Sequence, residues 1–308
     1  MKRSAFDVIR RGFDNAVANW PLILLRIGEG ILLMGIVVAA VFAAVIPILV
    51  SAGLSKGFDY RNPDDVAQFL GALFIEHWML LVYLFGLAFI LLGILLAIHS
   101  FVEAGCARIY VDGERGAAMR AFDFGRWLRG GSAGWWPVFW IYNLAWSVGC
   151  MVLLVPLTLT IAGLLAISET AGRIAVGCAG LGFTFLLFLP TAILVGIWVH
   201  KAIAVSVARN LGAVDALRAA RREFRLDFGR HLAVGIVMMI IGFMAAMIVS
   251  GAGFPLSSFG RHSGRVGLDL LPLFLAPVQI VMSMIQSVIS SAVSSWTLAS
   301  FVALAEER

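Results

Sequence analysis

The sequence predicts an all-α, polytopic membrane protein. Six transmembrane helices form three parallel helical hairpins, each preceded by a basic amphipathic helix lying in the membrane interface. Three observations carry that expectation. The 308 residues are 61% hydrophobic and 13% charged, whereas soluble domains run at about 45–50% apolar and about 25% charged. The chain holds six apolar runs, each at or beyond the roughly 20 residues that a helix needs to cross a bilayer. Phe6, Asp7, Arg10, Trp20 and Pro21 recur as Phe122, Asp123, Arg126, Trp136 and Pro137 at a constant offset of 116 residues.

In residues 3–19, Phe6, Ile9, Phe13 and Val17 recur at threes and fours beside Arg10 and Arg11, the pattern of a helix in the headgroup layer. Trp20-Pro21 marks that layer and the first turn of a new helix, whose apolar run covers 22–50. That run is far longer than a signal-peptide core of about 7–15 residues, so it is expected to stay as an anchor. An outer loop at 51–76 contains Asn62-Pro63-Asp64-Asp65, a helix-start signature. The second span covers 77–99 and overruns to Glu103 and Arg108, with a turn at 112–116.

A basic segment carrying Arg120, Arg126 and Arg129 leads into the third span at about 135–157, reaching as far as 167. A tight loop at 168–173 precedes the fourth span, 174–200, which Pro190 interrupts and which continues to Arg209. Residues 213–231 supply the third basic helix, with Arg218, Arg221, Arg222 and Arg225. The fifth span covers 232–254, a loop holds Arg261 and Arg265, and the sixth covers 271–302.

Charge orients the chain. Seventeen Lys and Arg fall in the N-terminus, 100–134, 200–231 and the C-terminus, against five in the opposite loops. By the positive-inside rule both termini are cytoplasmic, in a bacterial inner membrane. A fainter third copy of the repeat begins at Val214-Asp215 and Arg218. One transmembrane domain, 1–308, is thus divided into repeats 6–112, 122–209 and 214–308. Each repeat starts and ends inside, so they are parallel, unlike the inverted repeats of many transporters.

Three two-span units resemble the layout of mitochondrial carriers, but the Pro-x-acid-x-x-base motif that ends their odd helices is absent. The Phe-Asp-x-x-Arg…Trp-Pro segment resembles uncharacterised bacterial six-span inner-membrane proteins of the glycerophosphodiesterase-type membrane region. The phosphodiester-cleaving domain has no counterpart here, and the resemblance implies a fold without an activity.

Within the spans, Arg26 and Glu29 stand one turn apart in the first helix, where charge is costly and by default functional. An ion or proton relay is one reading. The other has Arg26 snorkelling while Glu29 pairs with it or is held between helices, with Gly28 and Gly30 allowing a close approach. Gln279, Ser283, Gln286, Ser287, Ser290 and Ser294 line one face of the sixth helix. With Arg26 and Glu29 they make a candidate polar seam, read either as helix packing or as a hydrated path. His99 and His200 fall at helix ends beside Glu103 and Lys201 and read as satisfied histidines, so no cofactor is expected. Cys106, Cys150 and Cys178 read as small hydrophobes.

Gly130-Gly-Ser132-Ala-Gly134 matches G-x-S-x-G, but that nucleophile motif needs a strand before it. Here it reads as a glycine joint between two helical segments. No metal site, phosphate loop or dinucleotide fingerprint is present, and no nucleic-acid module is recognisable. Arg10, Arg11, Arg120, Arg126, Arg129, Arg218, Arg221, Arg222 and Arg225 are the candidate contacts to anionic headgroups. The expected function is non-catalytic: a scaffold or accessory subunit contacting lipid, a protein partner or further copies of itself. The alternative is a transporter or channel along the seam between the first and sixth helices, and an intramembrane hydrolase is the third reading.

Overall fold

A computed structural model describes residues 3–51, 78–116, 118–262 and 271–307, with side chains at 45, 47–51, 80, 249–262 and 271–280 excepted. Among the described residues there are eight α-helices and no strand: α1 (Ala5–Ala18), α2 (Pro21–Ser51), α3 (Trp78–Arg115), α4 (Phe124–Ala166), α5 (Thr170–Arg209), α6 (Ala213–Leu226), α7 (Phe228–His262) and α8 (Leu271–Glu306). Six of them, α2, α3, α4, α5, α7 and α8, are long and apolar enough to span a membrane. Their surfaces agree with their composition. Phe85, Phe89, Phe185 and Leu165 are 73–80% exposed. Hiding one such side chain from water is worth about 1.5–3 kcal/mol, so hydrocarbon must cover them. The chain is a multi-pass integral membrane protein.

Two compact units divide the fold, 1–27 with 100–308, and 28–99. In the second unit, the described apolar side chains of α2 and α3 are mostly exposed, among them Ile31, Met34, Phe42, Val82 and Phe89. Glu29 is buried there, with the His99 ring Nδ1 2.7 Å from its carboxylate.

The core of the larger unit sits where the last turns of α3, α5 and α8 meet α1 and α6. Val102, Ala104, Ile109 and Tyr110 of α3, Ala202, Ile203 and Val205 of α5, and Leu298, Phe301 and Val302 of α8 are buried. Arg3 lies 3.9 Å from Glu307, so the start of α1 and the end of α8 are side by side.

α1 opens with a capping box. The Ser4 side chain accepts from the Asp7 amide and the Asp7 carboxylate accepts from Ser4, satisfying orphan helix donors. Those hydrogen bonds from Ser4, helped by Arg10 and Arg3, hold the Asp7 carboxyl below its usual range. α1 carries two apolar faces. Val8, Ile9 and Ala16 are buried, while Phe6, Phe13 and Val17 are exposed. Ile9, grouped by its spacing with Phe6, Phe13 and Val17, belongs to the protein-facing side.

The C-terminal end of α1 is clasped by amides. Asn19 Oδ1 accepts from the backbone of Ala121 and Phe122 at 2.8 Å each, and its Nδ2 donates to Met119 O. Asn15 Nδ2 donates to Tyr110 O, and Trp296 Nε1 donates to Ile9 O.

The structure differs from expectation at the second basic segment. Residues 124–134 are the first turns of α4, not a separate interfacial helix, because α4 runs unbroken through Gly130, Gly131 and Pro137 to Ala166. Glycine disfavours a helix by about 1 kcal/mol, and close packing by α3 supplies the offset. A Cβ on Gly130 would lie 2.6 Å from Arg108 Cβ, and one on Gly131 2.8 Å from the Phe101 ring. The Gly130–Gly134 run is therefore a helix crossing and not a joint. Pro190 likewise sits inside a continuous α5. The third basic helix ends at Leu226, five residues early, with Asp227 between it and α7. The helix start at Asn62–Asp65, and Arg265, lie outside the described residues.

Candidate functional site

The basic residues of the larger unit divide into two sets. The first is tied to acids and stitches the helix ends together. Arg26 donates to Glu103 Oε2 at 2.6 Å and to Ser294 Oγ at 3.2 Å. Arg11 reaches both Glu114 oxygens at 3.1 and 3.3 Å. Arg115 forms two 2.7 Å bonds to Glu306 and a third to Ala208 O. Arg230 bridges Asp227 and Glu307.

Lys201, 1% exposed, donates to Leu304 O at 3.1 Å and lies 2.8 Å from Glu223, which Arg209 also contacts. Burial works to raise the Glu223 carboxyl, but Lys201 and Arg209 outweigh it and hold the group below its ordinary value. A buried charge needs such a partner, since an unpaired one costs several kcal/mol.

The second set has no acid. Among the described residues, Arg10, Arg120, Arg126, Arg129, Arg221, Arg222 and Arg225 are exposed and make no ion pair. Seven of the nine arginines that the sequence nominates as headgroup contacts fall here. Arg11 belongs to the stitching set, and Arg218 meets Asp215 only at 3.7 Å. α6 shows how the sequence makes such a face: Ala216, Leu217 and Ala220 are buried, and the arginines three and four residues away point out. Trp198 Nε1 anchors this helix by donating to Leu217 O.

Arg126 and Arg129 also line a pocket of about 380 Å³ with Arg108 and Asp112 of α3, Ser206 of α5 and Asn210. Arg108 Nε is 3.2 Å from Asp112.

The candidate seam is only partly assembled. Arg26 meets Ser294. Ser290 and Ser294 line a groove of about 390 Å³ among α5, α7 and α8, together with His200, Gly235 and Thr297. Ser283 and Gln286 are exposed, Ser287 is half-buried, and the Gln279 side chain lies outside the described ones. Among the described residues nothing lies within 4 Å of a Cβ added at Gly28 or Gly30. His200 Nδ1 is 2.8 Å from Gly196 O.

Sequence reasoning missed Glu103, Glu114 and Glu306 as the acids that hold the basic end, and Asn15 and Asn19 as its clasps. One signal was readable: Glu103 follows His99 by one helical turn, on the same face. Among the described residues no three His, Cys, Asp or Glu side chains come together as metal ligands would. No protein-family model, curated protein or solved structure matches the chain.

Proposed function

We propose that this protein is a non-catalytic integral protein of the bacterial inner membrane with both termini in the cytoplasm. It acts as a scaffold or accessory subunit whose basic end binds anionic lipid and presents a surface to a partner. The observation that supports this reading is the division of the arginines. Among the described residues Glu103, Glu114, Glu223 and Glu306 are consumed in stitching, while Arg126, Arg129, Arg221, Arg222 and Arg225 keep their charge exposed. Each cation near an anionic leaflet is worth about 1 kcal/mol.

Reconstitution tests it. In vesicles of mixed phosphatidylethanolamine and phosphatidylglycerol, lipid retained on purification is expected to be enriched in phosphatidylglycerol. Retained lipid of bulk composition would count against the reading. A transporter along the α2–α8 seam is the second reading, and the Arg26–Ser294 bond favours it. Glu29→Gln separates the two: unchanged solute flux with lowered stability removes the transporter.

A further inference from the structure

Resting on the lipid-binding reading above, we infer that the pocket between α3, α4 and α5 is a discrete site for a phosphate group, supplied by an anionic phospholipid headgroup. Its chemistry is lopsided. Arg108, Arg126 and Arg129 face it against one acid, Asp112. Arg126 and Arg129 are three residues apart and share a helix face. Asp112 meets Arg108 only at its Nε, at 3.2 Å, so the terminal guanidinium nitrogens remain as donors. Planar guanidinium forks match the oxygens of a phosphate better than any other side chain.

The pocket is built by the backbone around it. A Cβ on Gly134 would lie 3.0 Å from Ala104 Cβ. Together with the contact at Gly130, this sets α3 directly on α4 and brings Arg108 beside the α4 arginines. Across from them, Asn210 adopts φ 55, a left-handed conformation that asparagine tolerates. Leu211 N donates to Ser206 O at 2.9 Å and Ser206 Oγ donates back to Leu211 O at 2.7 Å. That exchange pins the turn with Asn210 on the pocket wall.

Depth argues for a lipid as the source of the phosphate. From Arg126 to Pro137 the pocket follows α4 for 11 residues, about 16 Å at 1.5 Å per residue. Next to Pro137 and one turn past it along α4, Trp136 and Trp140 are 52% and 41% exposed, as residues of an interfacial aromatic belt are. Ala133, Pro137 and Val207 give the pocket an apolar lining. A glycerol backbone covers such a lining, and a hydrated inorganic phosphate does not.

The test uses the full chain in an uncharged detergent, titrated separately with phosphatidylglycerol, phosphatidylcholine and inorganic phosphate. Bound lipid is counted by native mass spectrometry. One phosphatidylglycerol per chain is expected to be retained, and no phosphatidylcholine. Arg126→Gln with Arg129→Gln is expected to weaken it about 25-fold, two cations at about fivefold each. Asp112→Asn is expected to tighten it about fivefold by the same rule, a gain that misfolding cannot produce. Arg221→Gln with Arg222→Gln should lower enrichment of bulk anionic lipid yet keep the single bound molecule.

Inorganic phosphate that binds saturably and displaces the lipid would retain the phosphate site but overturn the lipid as its source. Equal retention by wild type and the Arg126/Arg129 variant would overturn the pocket and leave the broader reading standing. Loss of lipid preference in no variant at all would overturn both.

Discussion

Arg26 and Glu103, 77 residues apart in the chain, form a 2.6 Å ion pair between α2 and α3 with 6% and 2% of each residue exposed. Arg26 also donates to Ser294 of α8, so one guanidinium joins three spans. A charge at that depth is tolerated because its partner is equally buried.

Removing one partner should therefore be severe. Glu103→Gln is expected to destabilise the fold by about 3–5 kcal/mol, the cost of an uncompensated buried charge. The double variant Arg26→Met with Glu103→Leu should recover most of that loss. Thermal unfolding in detergent, read by monodispersity, measures both. A single variant as stable as wild type would contradict the pairing.

Asn19 holds the segment that leads into α4. It is fully buried, and Asn19→Ala strands two backbone donors, Ala121 N and Phe122 N. At about 1–3 kcal/mol per stranded buried group, the variant is expected to unfold well below wild type. Proteolysis at residues 118–123 should rise with it.

Gly12 is where α1 crosses α8. A Cβ there would sit 2.6 Å from the Ser300 Cα and 2.6 Å from its amide nitrogen, and backbone atoms cannot step aside cheaply. Gly12→Ala should cost about 1–3 kcal/mol, the range for overpacking. Gly182→Ala, where no described residue lies within 4 Å, should be neutral or slightly stabilising, as helix propensity favours alanine. Melting temperatures of the two variants check this directly.

Glu223 gives the basic end a pH dependence. Its carboxyl is held below the ordinary value of 4.5 because Lys201 and Arg209 outweigh the effect of its burial. The stability it contributes is fully present above that value and is lost as pH falls below it through the depressed folded value. Stability should therefore decline below about pH 4.5, and Glu223→Gln should flatten that part of the profile.

The spans were legible because hydropathy is a local property. Trp20-Pro21 announces α2 at the residue where it begins, and the long apolar runs need lipid whatever their packing. The course of α4 was not legible. Gly130-Gly131 reads as a break in one dimension, and only α3 pressing on it, with Phe101 and Arg108 at the crossing, makes it helical. The same limit applies at the site. The exposed arginines announced themselves by number and position. That Arg11 is spoken for by Glu114, 103 residues away, and Arg26 by Glu103, depends on tertiary contacts that no periodicity carries.

The most direct measurement is the headgroup composition of the lipid retained by the wild-type chain and by a variant with Arg126, Arg129, Arg221 and Arg222 all changed to Gln, both purified from the same mixed membrane. Phosphatidylglycerol enriched over the bulk on the wild type, with the enrichment abolished in the fourfold variant, is the predicted result. Identical compositions in the two samples would contradict the account.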